Sequence, residues 1–519
     1  ELQQIRLDKA TTLRERGLNP YSPRTGRDSD TADVIAAYEA LEATSDGQDV
    51  HGEPVTVAGR VVSFRDMGKT LFAHIRDGSG ELQLYVRLND VGEQAHQDFS
   101  TLVDLGDIVE ATGTAFRTRT GEVTLRVVTF TVLTKALNAP PEKRRGLRDR
   151  ELRYRQRYAD LIANPDVRNV FALRSALVHA IRQFLHDDGF VEVETPSLQP
   201  LYGGAAARPF TTHYNALGSE FYLRIADELY LKRLIVGGYE RVFEICKDYR
   251  NEGMDRTHSP EFTMLEWYEA YGDYLTVLDR LERLFGYIAE TVLASSTFEH
   301  NGETIDLSLP WRRLTFREGI LEATGIDYTL FPEAEDLLRE ARKVGADIEN
   351  GTVWPRIVDE LHKQFVREHL IQPTILMDYP VALSPLAKRK PDDPTHAERF
   401  QLIMAGTEMT NAFTELNDPL DQLARFEEQQ RDRDAGDMDA MPIDEDYVNA
   451  LMYGMPPTGG IGIGIDRLIM TLANQATIRD VILFPAMRPL GSGVPDDDLD
   501  ADESDDLSDD SSENQSDGV

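Results

Sequence analysis

The chain has 519 residues, 41% of them hydrophobic, and a formal net charge of −36. That length predicts two or three domains with a large core, and no apolar run is long enough to cross a bilayer, which argues against a membrane protein. Its single cysteine, Cys246, excludes an internal disulfide and a cysteine-built zinc centre and predicts a cytoplasmic protein. Lysine is scarce, 10 against 45 arginines, and Asp496–Asp517 holds 12 acidic residues and no basic one. An acidic, arginine-rich chain predicts a protein that works in high salt, where about 1 M salt shortens the screening length to about 3 Å. An ordinary solubility bias is the alternative. Acidity is a poor start for nucleic-acid binding, because phosphates call for Lys and Arg, so any such function must rest on local motifs.

Residues 1–50 predict a helical lead-in broken at Asn19-Pro20-Tyr21-Ser22-Pro23. Residues 51–137 predict strands: Val55–Val61, Leu82–Val86 and Val123–Val127 alternate, with turns at Asp77-Gly78-Ser79-Gly80 and Thr120-Gly121. Several short strands at this spacing predict a small closed barrel, an OB-fold or another barrel of that size. A charged linker is expected over 138–157, and residues 158–490 predict a second domain. That domain opens with an amphipathic helix carrying Val167, Val170, Phe171, Leu177, Val178, Ile181, Phe184 and Leu185, stopped at Gly189. Residues 316–370 read as a helical insertion. The tail, 491–519, is Asp/Ser-rich, has little to bury and is expected to be disordered.

Three stretches concentrate polar chemistry. The first is Gly189-Phe190-Val191-Glu192-Val193-Glu194-Thr195-Pro196. The second is FEICKDYRNEGMDRTHSPEFTMLEWY, Phe243 to Tyr268, with Arg250, Glu252, His258, Glu261 and Glu266 close together. On its own it also reads as a salt-bridged surface loop. The third, Gly459-Gly460-Ile461-Gly462-Ile463-Gly464-Ile465-Asp466-Arg467-Leu468, places glycines alternately along a strand. Such a row lets a flat ligand or another backbone approach closely. It has neither the phosphate-loop ending nor a dinucleotide fingerprint.

Taken in order, these stretches resemble motifs 1, 2 and 3 of class II aminoacyl-tRNA synthetases, over about residues 50 to 490. Tyr202–Phe210, Leu223–Tyr230, Asn411–Asp418 and Arg479–Pro485 resemble segments of the lysine-charging members. The resemblance implies an α+β protein: an N-terminal five-stranded OB-fold that binds the anticodon, and a catalytic domain built on an antiparallel sheet flanked by helices. It implies a homodimeric ligase that activates L-lysine with ATP and passes it to the 3′ end of its tRNA.

The resemblance also implies roles for individual residues. Arg250 bridges the α-phosphate and the amino-acid carboxylate, a bidentate task that suits a guanidinium, and Arg467 meets the γ-phosphate. Phe262 stacks on adenine, and Glu252, His258, Glu408 and Gly464 complete the ATP site. Glu228 and Glu415 receive the substrate ammonium with Tyr268, Gly204 and Asn411 hold the α-amino and carboxylate end, and Glu266 closes the pocket. Mg2+ is expected on Glu408. The second acidic position of the family's pair, seven residues earlier, is here the neutral Gln401, a weaker ligand for a hard cation. Phe72, Gln83 and Glu122 fall where the family reads the anticodon, and Phe72 is alternatively a core aromatic. Arg60, Arg65, Lys69, Arg76, Arg87, Arg117, Arg119 and Arg126 are candidates for a local positive face.

Three rival functions make other demands on these residues. An aspartyl or asparaginyl enzyme needs cationic partners for its side chain, where this pocket offers Glu228 and Glu415. A paralogue that lysylates a protein lacks the barrel. A non-catalytic OB-fold RNA-binding protein has no use for both Arg250 and Arg467.

Overall fold

The computed structural model describes residues 1–45, 50–141, 146–434 and 440–490. The tail expected at 491–519 lies outside the described residues. The chain divides into two compact units, Glu1–Asp149 with Tyr158–Asn164, and Arg150–Arg157 with Pro165–Val519. Among the described residues no helix is long and apolar enough to cross a membrane.

In the first unit, β1 (Pro54–Asp66), β2 (Thr70–Arg76), β3 (Glu81–Arg87), β4 (Ile108–Arg117) and β5 (Val123–Thr134) close a barrel in the order β1-β2-β3-β5-β4. The period of two decides the faces: Leu71, Ala73 and Ile75 of β2 and Leu82, Leu84 and Val86 of β3 all point inward and are buried. The lead-in forms helices Leu2–Glu15 and Thr31–Ala43, whose Leu13, Val34 and Tyr38 join the barrel core. Residues 1–45 are thus part of this unit, because their apolar stripes have no other surface to cover.

In the second unit the strands are β6 (Val191–Glu192), β7 (Leu198–Gln199), β8 (Thr211–Tyr214), β9 (Ser219–Leu223), β10 (Arg241–Tyr249), β11 (Glu261–Ala270), β12 (Thr297–His300), β13 (Glu303–Asp306), β14 (Arg312–Thr315), β15 (Thr374–Pro380), β16 (His396–Met404), β17 (Thr407–Thr414) and β18 (Thr458–Gly464). Eight of them form one sheet, β14-β15-β16-β17-β18-β11-β10-β6, antiparallel except at its two ends, where β14–β15 and β10–β6 run parallel. β7, β9 and β8 form a small separate sheet, and β12 and β13 a two-stranded one. A parallel pair needs a long crossover. The helices Phe316–Thr324, Ala334–Lys343 and Trp354–Phe365, expected as an insertion, serve as that crossover between β14 and β15, with a core of their own around Phe316, Leu337, Ile357 and Leu361.

The amphipathic helix forms over Val167–Asp187, with Leu177, Ile181 and Leu185 buried. It and the helix Tyr274–Ile288 share one apolar cluster with Leu265, Trp267, Ile461 and Ile463 of the central strands. One face of the sheet is therefore dry, and the alternate residues of the same strands are left to line the other. The linker expected at 138–157 is corrected in its second half. Arg150–Arg155 is a helix, and Tyr154 donates from its hydroxyl to Asp480 at 3.0 Å. Arg157 is fully buried against the rings of Tyr154 and Phe171. A guanidinium and a phenol that find such partners are held in the core rather than left as a tether.

Candidate active site

The open face of the central strands forms a trough of about 390 Å³. Its geometry follows from register. On β11 the side chains of Phe262, Met264, Glu266 and Tyr268 share one face, and on β17 Asn411 and Phe413 do. Between them runs β18, where Gly464 pairs with Met264, Gly462 with Glu266 and Asn411, and Gly460 with Tyr268 and Phe413. Three alternate glycines leave a bare floor between two walls of side chains. At Gly460 the need is explicit: a Cβ there would lie 2.1 Å from Glu415 Oε1 and 2.5 Å from the Tyr268 ring.

One end of the trough is dry and acidic. Asp227, Glu228 and Glu266 are buried, and the Tyr268 hydroxyl donates to Glu266 Oε2 at 2.8 Å. Burial, with Glu228 and Asp248 nearby, pushes the Glu266 carboxyl up to about 8. Burial and the Glu266 charge likewise raise Asp227 well above the usual carboxylate range. Glu228 opens the helix Glu228–Val236, and the buried Lys232 one turn later forms ion pairs with Glu228 Oε1 and Glu415 Oε2. Burial pushes both of those carboxyls up, and the Lys232 ammonium pulls against it. Gly204, with φ +89°, brings backbone to the wall beside Glu228. Asn411 is fixed by Arg399, whose Nε donates to Asn411 Oδ1 at 2.8 Å.

The other end is wet and basic. Arg250 lies with its guanidinium carbon 5.0 Å from the Phe262 ring centroid. Arg467 donates to His258 Nε2 at 2.9 Å, and His258 Nδ1 lies 2.7 Å from Asp255. Asp466 accepts from the Thr263 backbone at 2.6 Å, tying the start of the Arg467 helix to β11. Glu252 and His258 are exposed on the wall, and Gly464 lies under Arg467.

The trough thus gathers Gly204, Glu228, Arg250, Glu252, His258, Phe262, Glu266, Tyr268, Glu408, Asn411, Gly464 and Arg467. Two expected residues stand apart from its wall. Glu415 is 1% exposed, with Oε1 over Gly460 where a Cβ would stand, and is paired with Lys232. Gln401 lines a smaller adjoining cavity of about 250 Å³, shared with Glu408, Arg399, Arg367 and His362, and its Oε1 accepts from the Tyr379 hydroxyl at 2.6 Å. The sequence reading missed Lys232, Arg399 and Asp227. Lys232 had a signal, its four-residue spacing from Glu228, and Asp227 had its place next to Glu228; for Arg399 there was none, because only the strand register brings it to the site.

On the barrel, Phe72 is half-buried on the outward face of β2, next to Tyr85 at 5.2 Å between ring centroids, so it is not a core aromatic. Gln83 Nε2 donates to Glu122 Oε2 at 2.8 Å, and His74, also missed in the sequence, lies 2.7 Å from Glu122 Oε1. The positive face is only partly realised. Arg76 pairs with Glu81, Arg117 with Glu42 and Arg126 with Asp90, because an acidic chain supplies carboxylates close by. Arg65 stands directly across from Phe72 in the ladder.

Residues 149–488 match the family model described as tRNA synthetases class II (D, K and N), and residues 55–133 match that of the OB-fold nucleic acid binding domain. A lysine–tRNA ligase of Roseiflexus castenholzii is 53% identical over 490 residues, covering 94% of this chain and 99% of that protein. Those of Chloroflexus aurantiacus and Pelotomaculum thermopropionicum are 50% and 49% identical, again over 94% of this chain and over 98% and 95% of their own lengths. The barrel, the glycine-floored trough between β11 and β17 and these full-length likenesses make the chain a member of the class II tRNA synthetases.

Proposed function

We infer that the chain is a lysine–tRNA ligase, which joins L-lysine to ATP as the adenylate and passes the lysyl group to the 3′ end of its tRNA. The observation that carries this reading is the polarity of one trough: Glu228, Glu266 and Tyr268 at its closed end, Arg250 and Arg467 at its open end. The lysine ammonium goes to the closed end, with Glu415 adding its charge from over Gly460. Gly204 and Asn411 hold the α-amino and carboxylate groups. The carboxylate oxygen attacks the α-phosphorus, and pyrophosphate leaves. No base is needed, because the carboxylate is already ionised. Arg250 neutralises the meeting anions, Arg467 and His258 hold the outgoing phosphates, and Phe262 stacks on adenine, so catalysis is positioning plus charge stabilisation. The ribose 3′-hydroxyl then attacks the adenylate carbonyl, and AMP leaves.

Mg2+ fits this site: Glu408 lines both cavities with no side-chain ion pair among the described residues, and Gln401 offers its amide beside it. Bound there, the ion would supply positive charge to the phosphates. On the barrel, Phe72 offers a stacking face, and Gln83, Glu122 and His74 offer hydrogen bonds to the edges of anticodon bases. The reading includes a cytoplasmic homodimer. Val191, 46% exposed on the edge strand β6 of motif 1, is an apolar edge suited to a second copy. ATP–pyrophosphate exchange measured with each of the twenty amino acids tests the function. Lysine alone should drive exchange; exchange driven by aspartate or asparagine, or by none, overturns it.

A further inference from the structure

Lys232 has no part in the chemistry just described, yet its surroundings resemble those the substrate side chain requires. It is fully buried, with its Nζ ion-paired to Glu228 and Glu415. The same Nζ lies 5.8 Å from the Tyr268 ring centroid and 5.2 Å from that of Phe413. Two carboxylates and two aromatic faces thus already surround a primary ammonium before any amino acid arrives.

The arrangement solves a charge problem. Glu228, Glu266 and Glu415 crowd into one dry space, and like charges so close cannot all remain ionised unaided. A carboxyl that keeps its proton attracts an ammonium only weakly. A fixed internal cation offsets one of the charges and ties down Glu415, whose Oε1 lies over Gly460 where a Cβ would stand. The helix makes this possible, since Glu228 and Lys232 stand one turn apart on the same face.

We propose that Lys232 is a positioning residue, a built-in counter-cation that fixes Glu228 and Glu415 so that this pair offers the incoming side chain one net negative charge beside Glu266 and selects a single ammonium. This rests on the reading of the trough as a lysine site. A purely structural ion pair would affect folding and leave substrate preference alone, and the two roles separate by experiment.

Lys232→Met should raise the KM for lysine by about 30-fold or more, the scale on which losing one partner of a buried charge pair is felt. The KM for ATP should stay within about threefold, and the preference for lysine over its uncharged analogue norleucine should fall about tenfold. In Lys232→Ala, added propylammonium should restore lysine-dependent exchange, whereas it can only inhibit the unaltered enzyme. Thermal melts and ATP binding report the fold; if Lys232→Met does not fold, Lys232→Gln, which keeps an N–H donor without the charge, carries the same readout. A folded variant with an unchanged lysine KM and unchanged preference overturns the proposal, as does a defect in Lys232→Ala that propylammonium leaves in place. If lysine fails to drive exchange in the unaltered enzyme, the functional reading falls and this inference with it; if lysine does drive it, the variants judge the inference alone.

Discussion

The two ends of the trough hold their own charged groups in opposite ways. At the acidic end Glu228, Glu266 and Glu415 are all at most 6% exposed; burial displaces the protonation of all three, and neighbouring carboxylates add to it at Glu266 and Glu415. At the basic end Arg250 and Arg467 are only half-buried, and His258 and Glu252 are exposed. A small ammonium must be stripped of water and given fixed partners to be told from other side chains. A triphosphate brings several charges and can be held by flexible guanidiniums in contact with solvent. On the proposed function, selectivity belongs to the dry end and turnover to the wet end.

Paired variants should break this contrast most strongly. Glu415→Gln should weaken lysine binding by about 2–5 kcal/mol while leaving ATP nearly untouched, since it leaves buried ammonium groups short of a carboxylate. Arg467→Ala should do the reverse, raising the KM for ATP and slowing exchange. Steady-state kinetics in both substrates decides, and equal damage to both KM values in either variant would erase the distinction.

Proton linkage offers a finer test. Burial raises Glu266 from 4.5 to about 8 in the free protein. A bound ammonium favours the ionised carboxylate, so lysine binding should release a proton, and affinity should strengthen as pH rises from about 7 to 8.5, by at most about tenfold per unit. The sign for stability is opposite. The folded state holds this proton more tightly than the unfolded chain does, so its contribution is full below 4.5 and is lost as pH rises through about 8. Calorimetry in two buffers of different ionisation enthalpy should detect the released proton, and Glu266→Gln should abolish it.

Gln401→Glu sharpens the contrast where the ends meet. The Tyr379 hydroxyl keeps an acceptor, and a second carboxylate then stands in the cavity with Glu408. The Mg2+ concentration for half-maximal exchange should fall a few-fold. An unchanged requirement would mean that this position lies outside the ion's field. The smallest effect is expected from salt. Raising KCl towards 1 M should raise the melting temperature as the self-repulsion of the −36 charge is screened, and leave the buried Lys232 pairs nearly unaffected. A flat or falling melting curve would remove the high-salt reading.

Much of this was legible in the chain itself. Alternation predicted the barrel strands at Val55–Val61, Leu82–Val86 and Val123–Val127, and helical spacing predicted Val167–Asp187, because one-sided burial imposes its period on sequence. The alternate glycines predicted a bare strand. Tertiary register was not legible. Nothing local placed Glu415 over Gly460, set Arg399 against Asn411 or drew His74 to Glu122. Nor did composition foresee that Arg76, Arg117 and Arg126 would be neutralised by neighbouring carboxylates. The linker was misjudged because Tyr154 and Arg157 find their partners more than 300 residues further along the chain or on the following helix.

The glycine floor carries a consequence for redesign. β11 and β18 present the proposed amino-acid pocket on one face and Trp267, Leu265, Ile461 and Ile463 of the largest apolar cluster on the other. Recognition and folding are therefore written in alternate letters of the same two strands. A library that varies β18 to admit a different amino acid will lose members to misfolding before it can sample new chemistry, because any side chain at Gly460 must first displace Glu415 and Tyr268. Substrate range is better altered from positions whose main chain does not build the sheet, the Gly204 loop and the helix that carries Glu228.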